Sequence, residues 1–462
     1  MWPNNPIFDY EREPSRDILC LDCKSFYASV EAVDLGLNPL TTKLVVMSYP
    51  FGPGKKRGSG LILASSPAAK KAYHIPNVAR ARDLPYPYPK DLHIVPPRMR
   101  YYMEKNREIN RIYQSYVDTE NHSVYSIDES FLDVTDSLRL FKARTADELA
   151  QRIQAEVLEK TGIYITAGIG DNPLLAKLAL DNAAKKAPHL RAEWRYEDIP
   201  NTLWQIPRLT DMWGIGRRTA RKLQGLGINT PYDLAHTNYF LLKDKFGVKG
   251  EQMYASSRGI DRSFLGQKYR THDRSLGHHQ VLPYDYSDPA ELRLVIREMA
   301  DQVATRLRRK QVTAQKLSLS LGYSQGYRDQ QGRRYLCIET RIEPTQATKM
   351  LTQVLLQLFQ DTYDGQLVRH LGVTASQLTP MVGMQMNLLI EPKMQLRQQK
   401  LDTVVDEIRQ RYGFKSLIRT SSLQKGGRAV ERSQLVGGHA GGLAGMENQG
   451  HGKAYKKRIQ RL

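Results

Sequence analysis

Two adjacent carboxylates, Asp128 and Glu129, lie in the middle of the stretch His122 to Val134, between two apolar segments. Neighbouring side chains on a strand point to opposite faces, so two consecutive acids converge on one point only at a strand end or a turn. Buried carboxylates need a cationic partner, and Mg²⁺ is usually bound by one or two carboxylates together with substrate phosphates. The pattern therefore predicts a hairpin that binds a divalent metal, and the alternative is a solvated turn.

A third acid, Asp22, follows the short apolar run Ile18 to Leu21, which is typical of a buried strand. Ser25 is a candidate N-cap for a helix over Phe26 to Val33. Asp22 would then lie beside a helix N-terminus, where exposed backbone N–H groups favour phosphate. The alternative is a solvated turn acid or a second cap, and the choice depends on what the rest of the chain places nearby.

Composition limits the class of protein. The chain has 462 residues and a formal net charge of +20, which favours a polyanionic partner, nucleic acid first. This length corresponds to roughly three or four domains. No apolar run approaches transmembrane length, and the N-terminus lacks the pattern of a signal peptide. The three cysteines, Cys20, Cys23 and Cys337, form neither a disulfide framework nor a zinc set, so we expect a cytoplasmic protein with no membrane partner.

Two motifs, DCKSFYASVE from Asp22 and YSIDESFLDV from Tyr125, together resemble the Y-family DNA polymerases. This translesion group contains DNA polymerase IV and the UmuC subunit of polymerase V, and the chain is most similar to the UvrX-type, UmuC-like branch. The resemblance implies an α/β multidomain right-hand polymerase with a ferredoxin-like palm, small fingers, a helical helix-hairpin-helix thumb and an α+β little finger. The implied boundaries are 1–25 and 99–190 for the palm, 26–98 for the fingers, 191–262 for the thumb, 263–274 for a linker, 275–384 for the little finger, and 385–462 for a clamp-binding peptide and a basic, partly flexible tail.

The resemblance also assigns the acids. Asp22, Asp128 and Glu129 match the catalytic metal-binding carboxylates of the family. The backbone carbonyl of Cys23 matches an additional ligand of the nucleotide-side metal. Two Mg²⁺ ions are therefore the expected cofactors.

Substrate-binding residues follow from the same resemblance. Tyr27, next to Phe26, matches the steric gate that rejects a ribose 2′-hydroxyl; without the resemblance it would be a core aromatic residue. Lys71 and Lys185 are the expected contacts of the triphosphate. Their neighbours Lys70 and Lys186 are the alternatives.

The segment GIGDNPLLAKLALDNAAKK resembles a family motif that follows a palm strand, predicted over Tyr164 to Ile169. Gly168 and Gly170 predict a turn into a helix capped near Asn172. The lysines at the end of this segment, Lys185 and Lys186, match the family's basic residue that reaches the triphosphate.

The segment DMWGIGRRTARKLQGLGINT predicts a helix–GIG–helix hairpin followed by a turn. Gly214 and Gly216 would let backbone N–H groups approach a DNA phosphate, and Arg217 and Arg218 would add positive charge. The alternative is an ordinary helical hairpin with glycine caps. In the family this is the thumb.

Beyond residue 275, apolar periodicity predicts a strand–helix–strand–strand–helix–strand order, the pattern of the family's little finger. The peptide QMNLL that follows resembles a clamp-binding peptide, with Gln385, Met386, Leu388 and Leu389 as its contacts. A helix is predicted over Leu396 to Tyr412, and residues 420–462 are predicted to be largely flexible.

These features predict a low-fidelity, template-directed DNA polymerase of the translesion type, acting by two-metal nucleotidyl transfer in damage tolerance and SOS mutagenesis. Its partners would be primer-template DNA, deoxynucleoside triphosphates and the replication sliding clamp. One alternative is a catalytically inactive DNA-binding scaffold of the same fold in a mutagenesis complex. A nucleotidyl cyclase-like palm is a second alternative, but it would lack the thumb and the little finger.

Overall fold

The computed structural model of the protein describes residues 8–48, 60–76, 79–267, 273–381, 391–436 and 439–440. The chain divides into two compact units after residue 268. Among the described residues, no helix has both the length and the apolar character needed to cross a membrane. The helices and strands of the first unit are β1 (Ile18–Cys23), α1 (Phe26–Asp34), β2 (Leu44–Ser48), β3 (Leu61–Ser65), α2 (Pro67–Tyr73), β4 (Ala79–Arg80), β5 (His93–Val95), α3 (Met99–Gln114), β6 (His122–Val124), β7 (Glu129–Asp133), α4 (Ser137–Leu140), α5 (Ala146–Thr161), β8 (Ile165–Gly170), α6 (Pro173–Asn182), β9 (Arg191–Trp194), α7 (Arg217–Gln224), α8 (Pro231–His236), α9 (Tyr239–Phe246) and α10 (Val248–Ser256).

A five-stranded sheet in the order β6-β7-β1-β8-β9 is the centre of the first unit. Its strands pair antiparallel except for β8 and β9. The apolar run of β1 is buried on both faces, because Leu19 and Leu21 join the core that α3 and α5 share, while Cys20 packs under α6. Residues 191–194 were predicted to belong to the thumb; they form β9 and extend this sheet instead.

Helix α6 approaches the sheet closely at Gly168. The prediction that Gly168 and Gly170 form a turn was wrong, since both belong to β8. A Cβ atom at Gly168 would collide with the backbone of α6 at Ala176, so the missing side chain permits the contact. Asn172 caps α6 as predicted, because its side chain accepts a hydrogen bond from the Leu175 N–H at 2.9 Å.

A smaller sheet in the order β4-β3-β2-β5 forms the predicted fingers segment. Strands β2 and β3 of this sheet pair antiparallel with each other. Helix α2 follows β3 directly, capped by the Ser66 hydroxyl on the Ala69 N–H at 3.2 Å. This short connection sets the direction in which the lysines of α2 project.

The second unit has the predicted strand–helix–strand–strand–helix–strand order. Its elements are β10 (Leu276–Tyr286), α11 (Pro289–Arg309), β11 (Val312–Tyr323), β12 (Tyr335–Thr345), α12 (Thr348–Thr362), β13 (Val368–Pro380), α13 (Pro392–Tyr412), α14 (Ala429–Arg432), β14 (Leu435–Val436) and β15 (His439–Ala440). The four long strands form an antiparallel sheet in the order β10-β13-β11-β12. Helices α11 and α12 bury their apolar faces against this sheet around Leu319 and Val373.

Residues 391–432, which we call the C-terminal strap, pack along α11. The predicted helix over Leu396 to Tyr412 is confirmed within α13. The prediction that the chain is largely flexible from residue 420 onward was wrong for the part that the structure describes. There, Tyr286 donates a hydrogen bond to the Gly426 carbonyl at 3.1 Å. Ion pairs fasten the strap to α11, and the three shortest among the described residues join Arg432 to Glu298, Arg409 to Asp301, and Asp406 to Arg308, each at 2.6 Å.

Candidate active site

The three predicted acids meet at one end of the palm sheet. Asp22 near the end of β1 and Glu129 at the start of β7 are direct partners in an antiparallel register. The Cys23 N–H donates to the carbonyl oxygen of Asp128 at 2.9 Å, so the third acid is joined to the same strand end. The fold thus brings together residues about a hundred positions apart in the chain, as the sequence predicted.

Ser126 shapes the turn that presents two of these acids. Its hydroxyl accepts hydrogen bonds from the N–H groups of Asp128 at 3.3 Å and Glu129 at 3.1 Å, and donates to Asp128 Oδ1 at 2.7 Å. The N–H groups of Tyr125 and Ser126 both donate to the Glu129 carbonyl at 3.0 Å. Sequence analysis missed Ser126, although a serine two residues before an acid is a common turn signal.

Two lysines from α6 and the turn after it lie against the acids. Lys185 Nζ is 3.1 Å from Asp22 Oδ2 and 2.9 Å from Asp181 Oδ1. Lys177 Nζ is 2.7 Å from Glu129 Oε1 and 3.0 Å from Asp181 Oδ2. Lys177 and Asp181 were missed from the sequence, although residues 177, 181 and 185 are spaced by four and so share one helical face.

The electrostatics of the acids follow from burial. Burial raises the pKa of the Asp22 carboxyl to about 7, with Lys185 opposing the rise and the carboxylates of Glu129 and Asp128 adding to it. Burial also works against the ammonium form of Lys185, but the negative charges of Asp22 and Asp181 outweigh it and raise the pKa of Lys185. Lys185 therefore leaves Asp22 incompletely compensated, and a further cation would stabilise its charged form.

The oxygen donors are of the kind that suits Mg²⁺. Among the described residues, no three carboxylate, imidazole or thiol groups are already arranged around a metal position. The ammonium groups of Lys177 and Lys185 contact Glu129 and Asp22 instead. Metal binding would require Lys185 to leave Asp22, and Asp181 lies within reach to receive it.

A cleft of about 190 Å³ opens beside Asp128 and is lined by Phe26, Tyr27 and Lys70, among others. The Tyr27 ring stacks on Tyr102 with 4.5 Å between centroids and 18° between planes. Tyr102 is itself fixed, since its hydroxyl donates to Glu31 at 2.6 Å. The predicted gate residue thus lies at the cleft on a rigid support.

The structure favours a different lysine of α2 for the triphosphate contact from the one that the sequence predicted. Lys71 was favoured for the triphosphate, but it is exposed on α2, whereas Lys70 lines the cleft. Burial lowers the pKa of Lys70, and the nearby charge of Lys185 acts in the same direction. The geometry therefore favours Lys70 over Lys71. In the second pair, Lys185, which was predicted to contact the triphosphate, lies against Asp22, whereas Lys186 is exposed.

The predicted thumb motif has only one of its two helices. A 3₁₀ turn (Leu209–Asp211) precedes the two glycines, not an α-helix, and α7 follows them. Gly214 has a φ of +88°, which requires glycine, and no atom lies within 4 Å of a Cβ built on Gly214 or Gly216. Both glycines are exposed, as are Arg217 and Arg218 at the start of α7, so the turn is open to a ligand.

Residues 385–389, the predicted clamp-binding peptide with Gln385, Met386, Leu388 and Leu389, lie outside the described residues. Ser25 occupies the N-cap position of α1 as predicted, but it has a left-handed φ of 49° and its side chain makes no capping hydrogen bond. A non-glycine residue in this conformation is uncommon, and here it immediately precedes Phe26 and the gate.

Comparison with known proteins places the chain in a family. A model of the impB/mucB/samB family matches residues 21–181, and one of the C-terminal domain of that family matches residues 273–388. The thumb domain of DNA polymerase-iota matches residues 210–261. The chain belongs to the Y-family of DNA polymerases. The predicted family and fold class are thereby confirmed.

Several Y-family relatives extend over nearly the whole chain. "Putative UV-damage repair protein UvrX" of Bacillus subtilis (strain 168) is 39% identical over 94% of this chain and 100% of its own length. "DNA polymerase IV 2" of the same organism is 33% identical over 91% of this chain and 98% of its own length. A solved chimera of the Y-family polymerases Dbh and Dpo4 superimposes with a TM-score of 0.62, covering 79% of this chain and 99% of the chimera at 22% identity. At this identity the likeness supports the fold alone.

Proposed function

We propose that the protein is a DNA-directed DNA polymerase that adds deoxynucleotides to a primer 3′-hydroxyl on a template. The observation that carries the proposal is the convergence of Asp22, Asp128 and Glu129 at one strand end, opposite a lysine that can reach a triphosphate. Acids on one wall and a lysine on the other are the charge distribution that phosphoryl transfer requires.

Asp22, Asp128, Glu129 and the backbone carbonyl of Cys23 would hold two Mg²⁺ ions. The Cys23 thiol is buried on the opposite face of β1, so only its backbone is available. Bound Mg²⁺ would lower the pKa of the primer hydroxyl and neutralise charge on the triphosphate. The protein residues orient these oxygens, because Ser126 fixes Asp128 and Lys177 fixes Glu129.

The lysines and the gate select the nucleotide. Lys185 would exchange Asp22 for a phosphate oxygen, while Asp181 stays within hydrogen-bond distance of its ammonium. Lys70 would contact the triphosphate from the fingers side of the cleft. Tyr27, supported by Tyr102, would occupy the space that a ribose 2′-hydroxyl needs.

We further propose that this polymerase is of the low-fidelity, translesion type and acts in damage tolerance and SOS mutagenesis. In the part of the fingers segment that the structure describes after α1, the strands are short and helix α2 has two turns, so this part offers little structure to test the shape of a base pair. Primer extension past a defined abasic site tests this directly. Adding the sliding clamp, with and without Gln385→Ala plus Leu389→Ala, tests the proposed clamp-binding peptide, because only the intact peptide should give clamp-dependent stimulation.

The first experiment compares primer extension with Mg²⁺ by the wild-type protein and by Asp128→Ala plus Glu129→Ala. A matched control carries Asp136→Ala plus Glu159→Ala, two exposed acids elsewhere in the same unit. We expect extension by the wild type and the control only. Extension by the first double variant would refute the site, and DNA binding without extension by the wild type would favour an inactive scaffold.

A second experiment tests the gate. Tyr27→Ala should raise the incorporation of ribonucleotides relative to deoxynucleotides, whereas Tyr27→Phe should not, because it keeps the ring. An unchanged sugar preference in Tyr27→Ala would remove Tyr27 from the proposed role.

A further inference from the structure

A tryptophan of the thumb turn contacts a tyrosine of the catalytic hairpin. The Trp213 indole N–H donates a hydrogen bond to Tyr125 Oη at 3.1 Å. Their ring centroids are 5.7 Å apart with an interplanar angle of 79°. Phe131 of β7 packs against both rings, at 5.7 Å from Tyr125 and 6.0 Å from Trp213. The three rings form one aromatic cluster that spans two parts of the first unit.

Each of the two hydrogen-bonded residues lies next to a predicted functional group. Tyr125 belongs to the turn of Asp128 and Glu129, since its own N–H donates to the Glu129 carbonyl at 3.0 Å. Its ring also lies 6.0 Å from the ammonium of Lys177, which contacts the Glu129 carboxylate. Trp213 immediately precedes Gly214, the first glycine of the turn proposed to bind a DNA phosphate. The hydrogen bond therefore connects the proposed metal site to the glycine turn that the sequence predicts to bind a DNA phosphate.

Burial of apolar surface alone does not explain this contact. Tyr125 is 50% exposed and its neighbour Val124 is 54% exposed, whereas a core tyrosine such as Tyr102 has no exposed surface. Because Tyr125 is half-exposed, its side of the contact gains less from burial, so the hydrogen bond and the ring geometry contribute a larger share of what holds the two segments in register.

We propose that Trp213 and Tyr125 form a positioning strut that fixes the distance between the phosphate-binding turn of the thumb and the catalytic acids. The inference rests on the proposed polymerase function. If a phosphate of the duplex binds at Gly214 and Gly216, a fixed length of DNA separates that phosphate from the primer end. The position of the primer end relative to the acids then depends on the distance between the turn and the acids. Displacement of reacting groups by about 1 Å can reduce the rate by about 100-fold, so a strut of constant length would place the primer 3′-hydroxyl in reach of the substrate.

The test uses Tyr125→Phe, which keeps its ring and removes the hydrogen bond, Trp213→Phe, which removes the same bond together with the pyrrole part of the indole, and the double variant. A matched control is Tyr232→Phe: Tyr232 is also 50% exposed and lies 5.7 Å from Trp204 at 86°, but the Trp204 indole donates to the Ser257 carbonyl instead. Each protein is assayed for equilibrium binding of primer-template and for the maximal single-turnover rate of nucleotide addition.

Both single variants should lower the maximal rate by about three- to tenfold, the loss expected if the net free energy of one hydrogen bond is added to the barrier through poorer positioning. Their affinity for primer-template should stay within about twofold of wild type, because the phosphate-binding groups are intact. The double variant should be no slower than Trp213→Phe, because the hydrogen bond that Tyr125→Phe removes is already absent there. Tyr232→Phe should behave as wild type.

Duplex length gives a readout that a purely structural role would not change. On a series of primers shortened until the duplex no longer reaches the thumb turn, Tyr125→Phe and the wild type should become equally fast. An equal loss at every length, additive losses in the double variant, or no loss at all would each overturn the strut. A wild-type protein that extends no primer would refute the proposed function itself, which is a different outcome.

Discussion

Lys177 is a buried lysine with two roles: it compensates the charges of Glu129 and Asp181, and it orients Glu129. Replacement of Lys177 by methionine separates these roles. The Lys177 side chain is 7% exposed and its ammonium lies 2.7 Å from Glu129 and 3.0 Å from Asp181. Removing one member of a buried ion pair typically costs about 3–5 kcal/mol. Lys185 stays 2.9 Å from Asp181 and 4.0 Å from Glu129, so it compensates in part. We therefore expect metal-free Lys177→Met to lose about 2–3 kcal/mol of unfolding free energy.

Mg²⁺ should reverse part of this loss. With no ammonium on Glu129, the metal has less competition, so Lys177→Met should bind Mg²⁺ more tightly than the wild type and gain more stability from it. The maximal rate of nucleotide addition should nevertheless fall, because Glu129 loses the group that orients it. The assay is thermal and urea unfolding across a Mg²⁺ titration, combined with single-turnover kinetics.

Two further variants make the result interpretable. Lys177→Arg keeps the charge and should respond to Mg²⁺ as the wild type does. Lys186→Met removes an exposed lysine of the same segment and should change stability by less than about 0.5 kcal/mol. Equal stabilisation of Lys177→Met and the wild type by Mg²⁺ would refute the competition between lysine and metal for Glu129.

Three other predictions concern separate parts of the molecule. Arg432→Met should destabilise the second unit by about 3–5 kcal/mol in urea unfolding, because it leaves Glu298, whose side chain is 3% exposed, without its ion-pair partner; a loss below about 1 kcal/mol would contradict this. Burial and the nearby charge of Arg432 lower the pKa of His278 from 6.5 to about 4, so the unfolded chain binds a proton that the native unit excludes, and stability should fall as pH decreases through this range. His278→Gln should flatten that dependence, and an unchanged pH profile would exclude His278 as its origin. Lys70→Ala should raise the KM for nucleotide by about tenfold, the loss expected for one charged contact, whereas Lys71→Ala should leave the KM within about twofold. A larger effect of Lys71→Ala than of Lys70→Ala would assign the triphosphate contact to Lys71.

The elements around the acids were predictable because their signals are local. The apolar run before Asp22 and the paired acids at residues 128 and 129 marked β1 and the β6–β7 turn, and the pairing of β1 with β7 and of β6 with β7 confirmed both. Alternation and helical spacing likewise marked the strands and helices of the second unit. Gly168 and Gly170 misled the prediction, because two glycines resemble a turn whenever the helix that packs on them is not known.

The contacts that define the site were harder to predict. One residue along a helix rotates the side chain by about 100°, so choosing between Lys70 and Lys71 required the direction of α2. Lys177 and Asp181 share a helical face with Lys185, but only the packing of α6 reveals that this face meets the acids. Pairing of a charge at residue 298 with one at residue 432 leaves no local pattern at all.

The C-terminal strap has a consequence for how this protein can be dissected and recombined. The match to the C-terminal family domain ends at residue 388, whereas the strap that covers α11 begins at residue 391. A fragment cut at the family boundary would expose Glu298 and Asp301 without their arginines, on a helix surface shaped to be covered. Exchange of this unit with a relative should therefore succeed only if the junction falls beyond residue 432. The part of the chain that must be exchanged together is longer than the part that the family model matches.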